Sequence, residues 1–162
     1  MISVSISRRA FTQICAGAAL GTAAPAAAPP ARIIDTHTHL SQTREMLIND
    51  LKRRAYYGVS AAQSLGQDTT DVSFQIRAET AAGKIPGAAR FFTAGRGITG
   101  PEPGRTMAPH WVTTVAEARA AVDEEAAKQV DIIKFWVADR MGTVKKLTSE
   151  LYTAIIDEAH KK

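Results

Sequence analysis

Ile33-Ile34-Asp35-Thr36-His37-Thr38-His39-Leu40 follows a Pro-Pro pair at 29 and 30 and opens the structured part of the chain. Its apolar start reads as a strand over residues 33–40, and what comes next sets the fold. Residues 43–57 place apolar side chains at Met46, Leu47, Leu51 and Ala55, a helical spacing, and Gly58 is a natural stop. A strand leading into a helix is a βα unit, and the pattern recurs down the chain.

The second unit has a strand over 59–65, a turn at Gly66-Gln67-Asp68, and a helix over 71–82 closed by Gly83, Pro86 and Gly87. In the third, a strand over 90–94 enters a Gly- and Pro-rich loop that reaches Trp111, and a helix covers 115–129. Thr114 is its N-cap, and Glu117, three residues on, completes a capping box. The fourth strand, 130–137, is a nearly continuous apolar run, as a strand covered on both faces requires. A loop and a helix over 149–161 follow it.

Repeated βα units indicate an α/β chain with a parallel sheet. Four of them make half of a (β/α)8 TIM-type barrel, whose usual length is about 250 residues. The expectation is therefore the N-terminal half of a barrel, in a chain that stops midway. An open, doubly wound sheet of this length fits the same pattern.

The residues before the first strand have another character. Ser7-Arg8-Arg9-Ala10-Phe11 precedes an uncharged, small and apolar stretch that reaches Ala28. This is the layout of a twin-arginine export signal over residues 1–28, with cleavage expected after Ala26 or Ala28, each ending an Ala-x-Ala triplet. The stretch is too short and too rich in Ala, Gly and Pro to span a bilayer. Export to the periplasm or the extracellular medium is expected, with a partial α/β domain over 29–162 and no membrane span after cleavage.

The single cysteine, Cys15, falls within this leader, so the mature chain is expected to have no thiol or disulfide chemistry. Arg8 and Arg9 leave with it, and the net charge of +4 drops to +2, with 18 basic against 16 acidic side chains. Only 6% of residues are aromatic and no basic run interleaves with them, which argues against nucleic acid as a partner. Lys52-Arg53-Arg54 reads as a solvated helix face.

Two features carry chemistry. His37 and His39 lie two apart on a strand, so they share a face with about 6.5 to 7 Å between them along it. They also sit at the C-terminal end of that strand, where parallel α/β folds hold their sites. Two imidazoles so placed can reach one metal ion, although a bare His-x-His pair is also common among ordinary surface or core histidines. The second feature is Lys134, which interrupts the apolar run 130–137. A buried ammonium needs a partner or must lose its charge, unless the strand is an edge from which the lysine reaches water.

Taken together, Ile34-Asp35-Thr36-His37-Thr38-His39, Asp131-Ile132-Ile133-Lys134-Phe135-Trp136-Val137 and Phe92-Thr93-Ala94-Gly95-Arg96-Gly97-Ile98-Thr99 resemble the amidohydrolase superfamily, especially its imidazolonepropionase-like and prolidase-like members. The resemblance implies a divalent metal, zinc, bound as one or two ions by His37, His39 and Lys134, the lysine carrying a carboxylate added from carbon dioxide. As an anion, such a carbamate can bridge two cations that an ammonium would repel. It implies hydrolysis of an amide, cyclic amide, peptide or ester bond in a small molecule, by water activated at the metal.

The family also uses histidines after strands five and six and an aspartate after strand eight, strands that this sequence does not contain. Its catalytic general base is thus outside the sequence, and activity of the isolated chain is in question. His110 and Arg96, which follow strand three, are candidates for contact with substrate, and Asp139 has the same standing; salt bridges explain them equally well. His160 falls on a solvent face near the end of the last helix. Two other readings stay open: a non-catalytic half-barrel that pairs with itself, and a different His-x-His metal hydrolase on an open sheet.

Overall fold

The structure, a computed structural model, describes residues 32–105 and 107–162. The export signal and Cys15 lie outside the described residues.

Three parallel strands form the main sheet in the order β1-β2-β3: β1 (Ile33–Thr38), β2 (Val59–Ser64) and β3 (Arg90–Thr93). Helices α1 (Arg44–Tyr56) and α2 (Asp71–Ala81) make the returns that parallel pairing requires. The apolar positions of these helices meet the sheet in one cluster, where Leu47, Leu51 and Ile76 pack with Ala62, Ala89 and Phe91. Phe91 is fully buried, which stabilises the fold by about 1.5–3 kcal/mol relative to leaving it in water. Gly58 ends α1 in the left-handed region at φ 88°, as the sequence predicts.

The β2/β3 register is continuous from Ala61↔Arg90 to Ser64↔Thr93. That of β1 is not: Asp35 pairs with Ala62 and Thr38 with Ser64, so β1 spends an extra residue over Thr36 and His37. An insertion of this kind re-aims side chains, and here it falls at the first histidine.

Beyond β3 the chain is built differently. A short parallel pair, β4 (Ile98–Thr99) and β5 (His110–Trp111), leads to α3 (Val115–Ala127), and α4 (Ser149–Ala159) closes the chain. Ile98, Val112, Val122, Leu147, Leu151 and Ile155 form the second core. The capping box of α3 is present, with Thr114 Oγ1 accepting from Glu117 N–H at 3.2 Å and Glu117 Oε2 accepting from Thr114 N–H at 3.1 Å.

One expected element is corrected: residues 130–137 form no regular strand. The segment does run parallel to β4, where Phe135 bridges Ile98, and touches β3 at one backbone bond. Asp131 N–H donates to the Thr93 carbonyl (2.9 Å), Ile98 N–H to that of Lys134 (2.8 Å) and Trp136 N–H to that of Ile98 (3.0 Å). The ladder breaks because the Asp131 carboxylate, not a backbone carbonyl, takes the Thr93 N–H at 2.8 Å. Its neighbour also breaks off between Thr93 and Ile98, where Gly95 turns at φ 60°. Nor is the run buried throughout: Ile132 is 51% and Val137 46% exposed.

The architecture is thus α/β with parallel strands. Among the described residues no helix is long and apolar enough to cross a membrane.

Candidate metal centre

The C-terminal ends of β1, β2 and the 130–137 segment bring together residues far apart in sequence. His37 and His39 leave β1 with ring centroids 5.4 Å apart, one edge toward the face of the other. Two imidazoles sharing one tetrahedral zinc, at Zn–N of about 2.0–2.1 Å, have centroids roughly 5 Å apart, close to the spacing of this pair. Both histidines are solvent-exposed, and the His37 backbone N–H donates to Asp35 Oδ1 at 3.3 Å. Arg54 holds the same aspartate from α1 at 3.3 Å and reaches Thr38 Oγ1 at 2.6 Å. Of the basic triplet expected on a solvated face, Lys52 and Arg53 are exposed, whereas Arg54 braces β1.

Loss of hydration lowers the pKa of His39 from its ordinary value, and the His37 imidazole and the Lys134 ammonium push in the same direction. Asp68 opposes them. The balance favours neutral imidazole, the form that ligates a metal.

Lys134 is half-buried, and the structure answers the question its sequence context raised. Its ammonium lies over the Trp136 ring, 5.2 Å from the centroid, and its charge is felt at His39. Room for this arrangement comes from two glycines. A Cβ on Gly97 would stand 2.2 Å from Trp136 Cζ3, and one on Gly66 would stand 2.6 Å from Trp136 Cη2 and 3.0 Å from Lys134 Cγ. Gly66 is also at φ 91°, so a side chain there meets both a clash and a strained backbone.

Several residues of the site escape a sequence reading. Asp68 is 2% exposed at the turn after β2, where it accepts hydrogen bonds from Thr93 Oγ1 and from Gln42 Nε2, the latter at 3.1 Å. Its place just past a strand end was the available signal. A cleft of about 190 Å³ opens beside His39, walled by Trp111, Trp136 and Pro109, with Glu102, Arg105 and Arg140 at its polar side. Nothing in the spacing of the loop residues among these marks them out.

Arg96 and His110 are drawn to the helix side instead. Strand alternation turns His110 away from Trp111 and onto α3, where its Nε2 lies 2.7 Å from Glu125 Oε1. Arg96 binds the carbonyls of Ala108 at 2.6 Å and Pro109 at 3.3 Å. Neither lines the cleft beside His39. Asp139 accepts from Met141 N–H at 3.1 Å within its own turn, and His160 caps α4 with its side chain exposed.

His110, Glu124 and Glu125 are close enough to one another to be considered a second ligand set. The cation position there is already held by Lys128, whose Nζ lies 2.8 Å from Glu124 and 3.0 Å from Glu125. Burial works against the charge of Lys128, but its bonds to the two carboxylates outweigh that and raise its pKa. Burial likewise pushes Glu125 up, and bonds from His110, Lys128 and the Arg96 N–H more than offset it, leaving its pKa lowered. This is an ion-pair network that fastens β5 to α3.

No family model matches the sequence, and no curated protein matches it. Solved structures do. A candidate prolidase from Bifidobacterium longum superposes with a TM-score of 0.68 at 27% identity, over 80% of this chain and 32% of that one. A Xaa-Pro dipeptidase with methionine bound in its active site gives 0.61 at 23% identity, over 80% and 40%. The ochratoxinase of A. niger, at 14% identity, gives 0.62 over the same shares and speaks for the fold alone. The chain spans 32 to 40% of the length of these proteins. The structural neighbours are thus a candidate prolidase, amidohydrolases and related hydrolases of the amidohydrolase superfamily, the family that the strand motifs resemble.

Proposed function

We propose that this chain carries the first metal-binding portion of a hydrolase of the amidohydrolase superfamily, cleaving a C–N bond of an amide, cyclic amide or peptide, or an ester, in a small molecule. The observation that carries the reading is the pairing of His37 and His39 at 5.4 Å at the C-terminal end of β1, with Lys134 within electrostatic reach. The likeness to solved hydrolases supports it.

In this reading His37 and His39 hold zinc, and Lys134, carboxylated, supplies a third ligand. The Lys134 ammonium would lose one proton to give the amine, and carboxylation of that amine by carbon dioxide would release a second, so that a repelling cation becomes an anion. The bound metal would supply Lewis acidity and a water of lowered pKa. Asp68 orients the site through its bonds to Thr93 and Gln42, and the indole of Trp136 shields the lysine from bulk water. The described strands would be the opening βα units of a (β/α)8 barrel, and residues 1–28 a twin-arginine signal directing it to the periplasm. Amino-terminal sequencing of the exported protein, expected to begin after Ala26 or Ala28, checks that assignment.

Metal analysis of the purified chain tests the function. Bound zinc that disappears in His37→Ala supports it; zinc retained in that variant overturns it.

A second reading, self-association, is favoured by the sheet edge. Ile33 and Ile34 on β1 are 55% and 58% exposed, and an apolar strand edge of this kind pairs readily. Size-exclusion chromatography distinguishes it: a stable dimer supports the reading, a monomer removes it.

A further inference from the structure

Tyr56 and Tyr57 are 84% and 73% exposed and set edge to face, with ring centroids 5.1 Å apart. Single apolar residues are ordinary on a protein surface, but a contiguous group marks a surface that meets something. Ile33, 55% exposed, extends the group: a Cβ on Gly58, the residue after Tyr57, would stand 3.9 Å from Ile33 Cδ1. The tyrosines are carried on a closed helix end. Tyr57 N–H donates to the Arg53 and Arg54 carbonyls at 3.2 and 3.1 Å, and Gly58 N–H to that of Ala55 at 3.0 Å.

Cations surround the pair. Lys52 and Arg53 precede Tyr56 and Tyr57 by one helical turn each, so each ring has a cation on its own side of α1. Arg32 before β1, Arg90 at the start of β3 and Lys84 after α2 occupy the same end of the sheet, where strands begin and helices finish, and all five are exposed. Residues 29–162 hold 18 basic and 16 acidic side chains, a net charge of +2, so five cations at one end are a local excess. Carboxylates of the two helices are engaged elsewhere: Asp50 accepts from Ser41 Oγ at 2.7 Å and stands 3.8 Å from Arg53, and Glu79 pairs with Arg44 at 2.6 Å. Arg32 and Lys52 have no ionic partner among the described residues.

Two rings standing out from the surface, with cations one turn behind them, match the boundary of a bilayer. The rings reach the acyl edge, their hydroxyls stay wet, and the cations meet phosphate. Set perpendicular, the rings offer no parallel faces on which successive bases would stack. We propose that this end of the chain docks peripherally on an anionic phospholipid surface, with Tyr56 and Tyr57 at the acyl boundary and the basic side chains on the headgroups. His37 and His39 lie toward the opposite end of β1, about 20 Å along the strand, so the candidate metal centre stays open to water. The proposal stands on the surface alone and holds whether or not the chain is a hydrolase.

Co-sedimentation of the full chain with vesicles tests it. Vesicles of equal parts phosphatidylglycerol and phosphatidylcholine are expected to take up the chain roughly tenfold better than vesicles of phosphatidylcholine alone, and added salt should weaken the preference. Lys52→Gln should lower the uptake by roughly fivefold, the effect of one cation at a charged surface. Tyr56→Ser combined with Tyr57→Ser should lower it by roughly tenfold. All three side chains are exposed, so the fold is kept. Equal uptake by the two kinds of vesicle overturns the proposal. Uptake unchanged in both variants also overturns it, and would belong to the apolar stretch before β1 instead. So does no uptake at all, with or without a dimer that covers the tyrosines, and so does a preference for a single-stranded oligonucleotide over the anionic vesicles.

Discussion

The segment from β1 to β3 and the segment from Gly95 to the end of α4 solve the same packing problem by different means. In the first, backbone ladders and apolar helix faces do the work: β2 and β3 keep an unbroken register and Leu47, Leu51, Ile76 and Phe91 fill the space above them. In the second, regular strands shrink to two residues each and charged side chains take over backbone positions. Asp131 captures the Thr93 N–H, and Glu125 ties together Arg96, His110 and Lys128. Periodicity organises the first half, whereas individual polar contacts organise the second. The candidate site lies on the seam, taking His37, His39 and Asp68 from one half and Lys134, Trp136 and Arg140 from the other.

The sharpest way to break the first half is to hollow it. Phe91→Ala, at a site with no exposure, should cost about 3–5 kcal/mol in urea denaturation, the effect of a large cavity among rigid neighbours. A loss below about 1 kcal/mol would mean that the sheet core collapses around the gap.

In the second half the corresponding change is polar. Glu125→Gln should cost about 2–3 kcal/mol at neutral pH by weakening the bonds to His110 and Lys128. The sign with pH follows from the lowered pKa of Glu125. Its stabilising contribution is complete above the ordinary glutamate value and is lost as pH falls through the lowered folded one. The gap in stability between wild type and Glu125→Gln should therefore close in acid, while the corresponding gap for Phe91→Ala should not follow the Glu125 titration.

Smallest is the cap of α3. Thr114→Ala removes the acceptor for Glu117 N–H and should cost about 1 kcal/mol, read as a shift in the denaturation midpoint without a change in slope.

The same contrast explains what the sequence discloses. The helices and the first three strands were legible within a few residues, because amphipathic spacing and the glycine stops at 58 and 83 are local signals. The 130–137 segment was legible as an apolar run but not as an irregular one. Its ladder is broken by Asp131 acting on a residue nearly forty positions away, which no local pattern encodes. His37, His39 and Lys134 stood out because charge or imidazole in an apolar strand is conspicuous. Glu102, Arg105 and Arg140 did not, since loop residues converge only through the fold. His110 and Arg96 were singled out for following a strand end, and their contacts face the helix instead.

Zinc titration with and without bicarbonate bears most directly on the claim that the two halves meet at one metal centre. Wild-type chain is predicted to bind zinc more tightly when bicarbonate is supplied, through carboxylation of Lys134, and both Lys134→Ala and His39→Ala are predicted to lose that binding. Zinc affinity indifferent to bicarbonate and unchanged in Lys134→Ala would contradict the account.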